Sequence, residues 1–393
     1  MYSVLRHTGS IFWKKRPLHL TFFLTRRCNA RCPFCFYLKS DYNPTIPPFL
    51  IPPRPPLLKW GVGDLSGGKG GFSEELSFDE IQRISITTGN LLWLAFSGGE
   101  IYLRDDLVDI SKLFYKNNKP SIMLYPTNGL LPEVIKDKTE QILKNCKKSV
   151  IVVKLSIDGL NGEHDTLRNT PGGFDKTMET YRLLGELLGK YPNFELGVNT
   201  VFCSKNQDNM DEIIDFVRGL KDIKTHTISL VRGSLSDESY KEVDYKKYLH
   251  AIERLEDNLK NRISGIYRFK GGRLKAAQDI IQRRLIYRTL LEQKRLIPCY
   301  AGRLNIVLRE TGDVYPCETL KEGFGNVRDY DYDIRRIILS EKAKEVVNSI
   351  ANNQCYCTHE CYFMTNILFN PAIYPALLKE YLQLLYPLRH FPS

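Results

Sequence analysis

Residues 18–35 read Leu18-His-Leu-Thr-Phe-Phe-Leu-Thr-Arg-Arg-Cys28-Asn-Ala-Arg-Cys32-Pro-Phe-Cys35. The opening run, 18–24, is apolar and rich in aromatics, which reads as a short buried strand. Cys28, Cys32 and Cys35 follow at once with the spacing CxxxCxxC. Thiolates this close on one loop can hold a single cluster. An ordinary [4Fe–4S] cluster takes four thiolates, and only three are local. The fourth iron is then open to a non-protein ligand, so a bound molecule can chelate it and receive an electron. The competing reading is a structural zinc site. Such sites usually close with a fourth Cys or His at short spacing, and none follows until Cys146.

Outward from this stretch the chain alternates. A Pro/Gly-rich insertion, 41–72, is unsuited to a regular helix or a central strand. Ser77-Phe-Asp-Glu80 is a capping box that opens a helix. Strands are expected at 91–97, 121–125, 150–157, 194–202 and 225–231. Helices are expected at 105–117, 131–145, 174–189 and 208–220. Six strands alternating with helices predict a parallel sheet with right-handed crossovers. The fold class is therefore α/β, and ligands of such sheets bind at the carboxyl ends of the strands.

Four further motifs sit at those ends in order. Ser97-Gly98-Gly99-Glu100 follows the second strand and Thr127-Asn128-Gly129 the third. Ser156-Ile-Asp158-Gly159 ends the fourth, with His164, Asp165 and Arg168 after it, and Asn199 and Thr200 lie near the end of the fifth. Gly98 and Gly99 are expected to let the backbone approach a ligand closely. With Phe34 before the last cysteine of the first group, this set resembles the radical S-adenosylmethionine (SAM) superfamily over about residues 18–232. The resemblance implies a partial (β/α)6 barrel whose Cys28, Cys32 and Cys35 hold a [4Fe–4S] cluster. It implies SAM on that cluster, with Phe34, Gly98, Gly99, Glu100, Asn128, Ser156, Asp158, Arg168 and Asn199 as its contacts. The implied chemistry is reductive cleavage of SAM to a 5′-deoxyadenosyl radical that abstracts a substrate hydrogen atom. The cofactor carries this chemistry, so no acid–base catalytic residue is assigned.

A second cysteine group comprises Cys299, Cys317, Cys355, Cys357 and Cys361. Asp313-Val-Tyr-Pro-Cys317 after Gly312 reads as a small hairpin carrying a ligand. The Cys299…Gly312…Cys317 portion resembles the C-terminal SPASM or shorter Twitch extensions of the same superfamily. The later CxCxxxC departs from the longer SPASM spacing. The resemblance implies one auxiliary [4Fe–4S] cluster on Cys299, Cys317 and two of Cys355, Cys357 and Cys361. Zinc with His359 as a ligand is the alternative.

The expected organisation is a basic segment (1–17), the barrel (18–235), a basic helical linker (236–296), an auxiliary cluster domain (297–366) and an apolar tail (367–393). Net charge is +11, which favours anionic partners without choosing among them. No signal-peptide-like stretch or spanning apolar run is present, so reduced, metal-bound cysteines in a cytoplasm are expected. The function read from these features is a radical SAM oxidoreductase acting on a peptide, a cofactor precursor or a lipid. An external donor such as a flavodoxin or ferredoxin would reduce the cluster. A second reading has the apolar tail and the basic segments touch a membrane surface. A reading of another class, a zinc protein that binds nucleic acid, accounts for charge and cysteines but not for the ordered strand-end motifs, and nucleic acid is not favoured.

Overall fold

A computed structural model describes residues 1–38, 75–352 and 355–386. The Pro/Gly-rich insertion expected at 41–72 lies outside the described residues, as does the end of the tail. The first six strands are β1 (His19–Thr25), β2 (Trp93–Gly98), β3 (Ile122–Thr127), β4 (Val150–Ser156), β5 (Phe194–Phe202) and β6 (Thr225–Leu230). They pair in parallel in the spatial order β6-β5-β4-β3-β2-β1. The connecting helices are α1 (Phe78–Thr88), α2 (Leu107–Asn118), α3 (Pro132–Asn145), α4 (Asn161–Arg168), α5 (Gly173–Leu188) and α6 (Met210–Gly219). Helix α4 has no counterpart among the expected elements, since only eight residues form it and its pattern is polar.

Period-two alternation sorts each strand between two environments. On β4, Ile151, Val153 and Leu155 join the main core under the helices, whereas Val152, Lys154 and Ser156 face a central cavity. On β1, Leu20, Phe22 and Leu24 enter that core, while His19 and Thr21 face the cavity. Every residue of β1 is buried, as expected of a central parallel strand covered on both faces. Burying one such side chain as Phe22 stabilises by about 1.5–3 kcal/mol.

The sheet does not stop at β1. Strand β7 (Asn305–Leu308) pairs with it in parallel, His19 opposite Asn305, and β8 (Asp313–Tyr315) and β9 (Gly325–Asn326) continue antiparallel. The cysteine-rich extension therefore grows out of the barrel sheet. The hairpin expected around Gly312 is β7–β8. After it come α9 (Ile334–Ile338), α10 (Glu341–Asn352), α11 (Glu360–Leu368) and α12 (Tyr374–Leu385).

Residues 236–296, expected as a basic helical linker, hold two helices packed on other elements, α7 (Tyr245–Lys260) and α8 (Gly272–Glu292). Several of their cations are paired within the chain. Arg254 pairs with Asp211 and Asp215 at 2.6 Å. Lys260 and Arg284 both bind Glu256 and Glu380. Lys275 pairs with Asp279. The apolar tail helix α12 lies on α8, burying Leu377 and Leu384 and leaving Leu378, Leu382 and Tyr386 exposed. No helix of the described residues is long and apolar enough to cross a membrane.

One carboxylate ties the first helix to the extension. Glu80 closes the Ser77 capping box and accepts hydrogen bonds from Arg328 (2.7 Å) and Tyr332 (2.9 Å). Burial pushes its pKa up, but those bonds and the one from the Ser77 amide overcome this and bring it from 4.5 to about 2. Glu80→Gln should therefore destabilise the chain by about 1–3 kcal/mol, the size of a cap plus a charge-assisted bond. Because the folded pKa is depressed, the wild-type advantage in a denaturant melt should be full above pH 4.5 and vanish as pH falls to about 2.

Candidate active site

The carboxyl ends of β1–β6 and residues of α8 and α11 enclose one cavity of about 400 Å³. Cys28, Cys32 and Cys35 all line it. Their loop is shaped by the Cys35 amide donating to the Cys32 carbonyl (3.1 Å) and by the Arg31 guanidinium donating to the carbonyls of Cys28 (2.7 Å) and Ala30 (2.9 Å). Asn128 Nδ2 donates to Asn29 Oδ1 at 2.8 Å and lies 3.9 Å from the Cys28 sulfur. Burial pushes the Cys28 thiol up to about 11 and Cys32 to about 12. Binding a cluster requires these thiols to give up their protons.

Gly98 and Gly99 line the cavity and are also required by the packing of the chain itself. A Cβ on Gly99 would meet the Arg27 carbonyl oxygen at 2.1 Å, and one on Gly98, whose φ is +120°, would meet that of Thr25 at 2.4 Å. The Gly99 amide donates to the Thr25 carbonyl (2.8 Å) and the Glu100 amide to the Arg27 carbonyl (2.9 Å). The glycines thus let β2 close against the root of the cysteine loop, and the close approach is to the chain itself.

Glu100 lines the cavity and is 2% exposed. It accepts from the Asn128 amide (2.8 Å), Thr127 Oγ1 (3.0 Å) and the Tyr102 amide (3.2 Å). Burial raises its pKa to about 7 against those bonds. Phe34, Gly98, Gly99, Asn128, Ser156, Arg168 and Asn199 also line the cavity, but Asp158 does not. The Asp158 carboxylate is turned inward. It accepts from Arg168 Nε and Nη2, both at 2.7 Å, and from the Val201 amide at 2.7 Å. Asp158 therefore positions Arg168, which lies over the Phe34 ring. His164 and Asp165 are structural: His164 Nδ1 accepts from the Asp158 amide, and Asp165 from the amides of Gly172 and Phe174.

The rest of the wall went unread in the sequence. Lys154 enters from β4, and Lys275, Asp279 and Gln282 from α8. Burial lowers the Lys154 pKa to about 7, and its ammonium donates to Thr225 Oγ1 at 2.7 Å. Arg232, Glu318, His359 and Glu360 form a buried ionic network at the border of the extension, with His359 Nε2 2.9 Å from Glu318. Arg232 also lies 4.9 Å from the Phe36 ring, next to Cys35. A lone lysine or glutamate in a strand or loop gives no sequence signal that it faces a cavity.

Four cysteines of the second group, Cys299, Cys317, Cys355 and Cys357, line a separate cavity of about 60 Å³. Burial, then the neighbouring Cys317, push Cys355 up, and burial takes Cys357 to about 12. Cys361 is not among them and lines the large cavity instead. Among the described residues, no three His, Cys, Asp or Glu side chains converge closely enough for a single metal ion. The donor set of both groups, cysteine sulfur, is the one that iron–sulfur clusters take.

Residues 22–217 match the profile of the Radical SAM superfamily, and the chain belongs to that superfamily. The chain is similar to the antilisterial bacteriocin subtilosin biosynthesis protein AlbA of Bacillus subtilis, 26% identical over 327 residues, 81% of this chain and 59% of AlbA. It is similar to the sporulation killing factor maturation protein SkfB of the same organism, 27% identical over 207 residues, 51% of this chain and 39% of SkfB. The chain thus spans less than two thirds of the length of these relatives. Its fold is similar to that of Streptococcus suis SuiB bound to its precursor peptide SuiA, with TM-score 0.52 and 14% identity over 88% of this chain and 70% of SuiB. Membership brings the [4Fe–4S] cluster and SAM as cofactors.

Gly99→Ala should push the Arg27 carbonyl and displace the cysteine loop. Anaerobically reconstituted variant should lose about four of its irons, one cluster's worth, while the circular dichroism stays that of the wild type.

Proposed function

We propose that this chain abstracts a hydrogen atom from a peptide substrate, using a SAM-bound cluster on Cys28, Cys32 and Cys35 and one auxiliary [4Fe–4S] cluster on Cys299, Cys317, Cys355 and Cys357. The observation that carries the reading is the shared cavity: the three-cysteine loop, the strand-end motifs and the wall of the extension meet in one enclosure. When bound, the cluster and SAM supply one-electron reductive cleavage and hydrogen-atom abstraction. An external low-potential donor, a flavodoxin or ferredoxin, supplies the electron.

The chain's own residues do the positioning. Gly98 and Gly99 seat the cysteine loop on β2. Arg168, oriented by Asp158, offers a guanidinium at the cavity wall for a carboxylate. Ser156, Asn128 and Asn199 place small polar groups at the same strand ends. Asn199 Oδ1 accepts from Ser229, so its orientation is set. The apolar lining from Phe34, Trp93, Leu124 and Val152 excludes water. The peptide assignment rests on the bacteriocin and killing-factor roles in the names of AlbA and SkfB.

Anaerobically purified protein should be brown, carry about eight irons from two four-iron clusters, and release 5′-deoxyadenosine and methionine from SAM on reduction. Cys32→Ala should abolish that release and lower the iron count to about four. Colourless protein holding zinc, with SAM left intact, would exclude the reading.

A further inference from the structure

Five cysteines serve the extension, and only four face one another. Cys357 feels the charge of Cys299, Cys317 and Cys355, whereas the charged neighbours of Cys361 are Glu318, Arg232, Glu360 and Lys275. The apolar cluster around the small cavity includes the first four cysteines and leaves Cys361 out. Cys361 instead lines the large cavity together with Cys28, Cys32 and Cys35. Its place is fixed: it sits in the first turn of α11, its amide donates to His359 Nδ1, and His359 is held by Glu318.

One polar atom beside it lacks a partner in the chain. His19, 1% exposed, lines the same cavity and is held there by the Cys361 backbone and by Thr21 Oγ1. Oε1 of Glu360, next to Cys361 in sequence and on the same cavity, makes no hydrogen bond. Buried polar atoms of folded proteins are nearly always paired, so this atom points to a polar group on the molecule that fills the cavity at Cys361.

We propose that Cys361 is not a cluster ligand but the hydrogen-atom donor of the reaction chamber, transferring its thiol hydrogen to a substrate carbon radical. The inference rests on the hydrogen-abstraction reading above. The step balances as follows. The substrate carbon loses a hydrogen atom to the 5′-deoxyadenosyl group, and the resulting carbon radical gains one from Cys361 as the S–H bond breaks and a C–H bond forms. The sulfur radical left on Cys361 takes one electron from the same flavodoxin- or ferredoxin-class donor and one proton from water. The S–H bond is weaker than the C–H bond of an unactivated aliphatic carbon, so at such a carbon the transfer runs downhill. Burial pushes the Cys361 thiol up to about 12, so it carries its hydrogen at neutral pH. The outcome at carbon is redox-neutral: replacement of the hydrogen, with inversion where the thiol lies on the face opposite the abstraction.

A test needs no substrate. A thiol exchanges its hydrogen with solvent, and the primary carbon radical released by unproductive SAM cleavage is itself the probe. Holoenzyme in D2O with SAM and dithionite should yield 5′-deoxyadenosine carrying deuterium. Cys361→Ala should retain the wild-type iron content, release 5′-deoxyadenosine and lose the label. Cys361→Ser, with a stronger O–H bond, should do the same, and it decides the matter if the alanine variant does not fold. Iron content that falls by one cluster in both variants makes Cys361 a ligand and overturns the proposal. So does a label that persists in both, or one absent from the wild type. Failure of the wild type to release any 5′-deoxyadenosine overturns the SAM-cleavage reading and this inference with it.

Discussion

The fold's chemistry depends on one close backbone contact. Gly98 and Gly99 at the end of β2 lie so near the carbonyls of Thr25 and Arg27 that no side chain fits between them. Two amide-to-carbonyl bonds, from Gly99 and Glu100, fasten that approach. The contact fixes where the loop of Cys28, Cys32 and Cys35 leaves β1. It also sets the start of Glu100, whose carboxylate gathers the Asn128 amide and the Thr127 hydroxyl from the end of β3. Three strand ends are thereby locked around the mouth of the cavity. A ligand entering there meets a site formed in advance, which lowers the ordering cost of binding.

Much of this was legible from residue order. The six strands, their parallel pairing and the Ser77–Glu80 cap follow from apolar runs, helix signals and alternation, and the structure has them within a few residues. What escaped had no local signature. Strand β7 is four residues long, and its pairing with β1 joins segments almost three hundred residues apart, so nothing local announces it. Helix α8 reads as basic, yet its Arg284 meets Glu256 and Glu380 on other helices and its Lys275 meets Asp279 one turn on. These pairs leave the net charge of +11 unchanged, but they take the cations of this helix out of the count of an exposed basic patch. Asp158 sits in the expected motif, but whether such a carboxylate faces a ligand or an arginine ten residues on is a matter of side-chain direction that spacing does not carry.

The cysteines of the extension make the same point. Cys357 and Cys361 are four apart, close to one helical turn, and look equivalent as ligands. The structure places them on different cavities, because α11 begins between them, at Glu360, with His359 as its cap. The turn into α11 sends Cys361 into the large one.

The wall between the two cavities is thin along the chain. Cys317 faces the small cavity and Glu318 the large one, and the pair Cys357 and Cys361 repeats this on the neighbouring segment. The wall is held by charge. Arg232 meets Glu318 and Glu360 and stacks on Phe36, so the cysteine loop of β1, the end of β6 and the extension converge on one guanidinium. Apolar side chains would separate the cavities at a smaller desolvation cost. They would also slide. Removing one partner of a buried ionic group leaves an uncompensated charge worth about 3–5 kcal/mol, so such a network tolerates one arrangement and penalises its neighbours steeply. Where a hydrogen atom must leave the substrate in a set direction, a wall with one arrangement is worth more than a wall with the lowest energy.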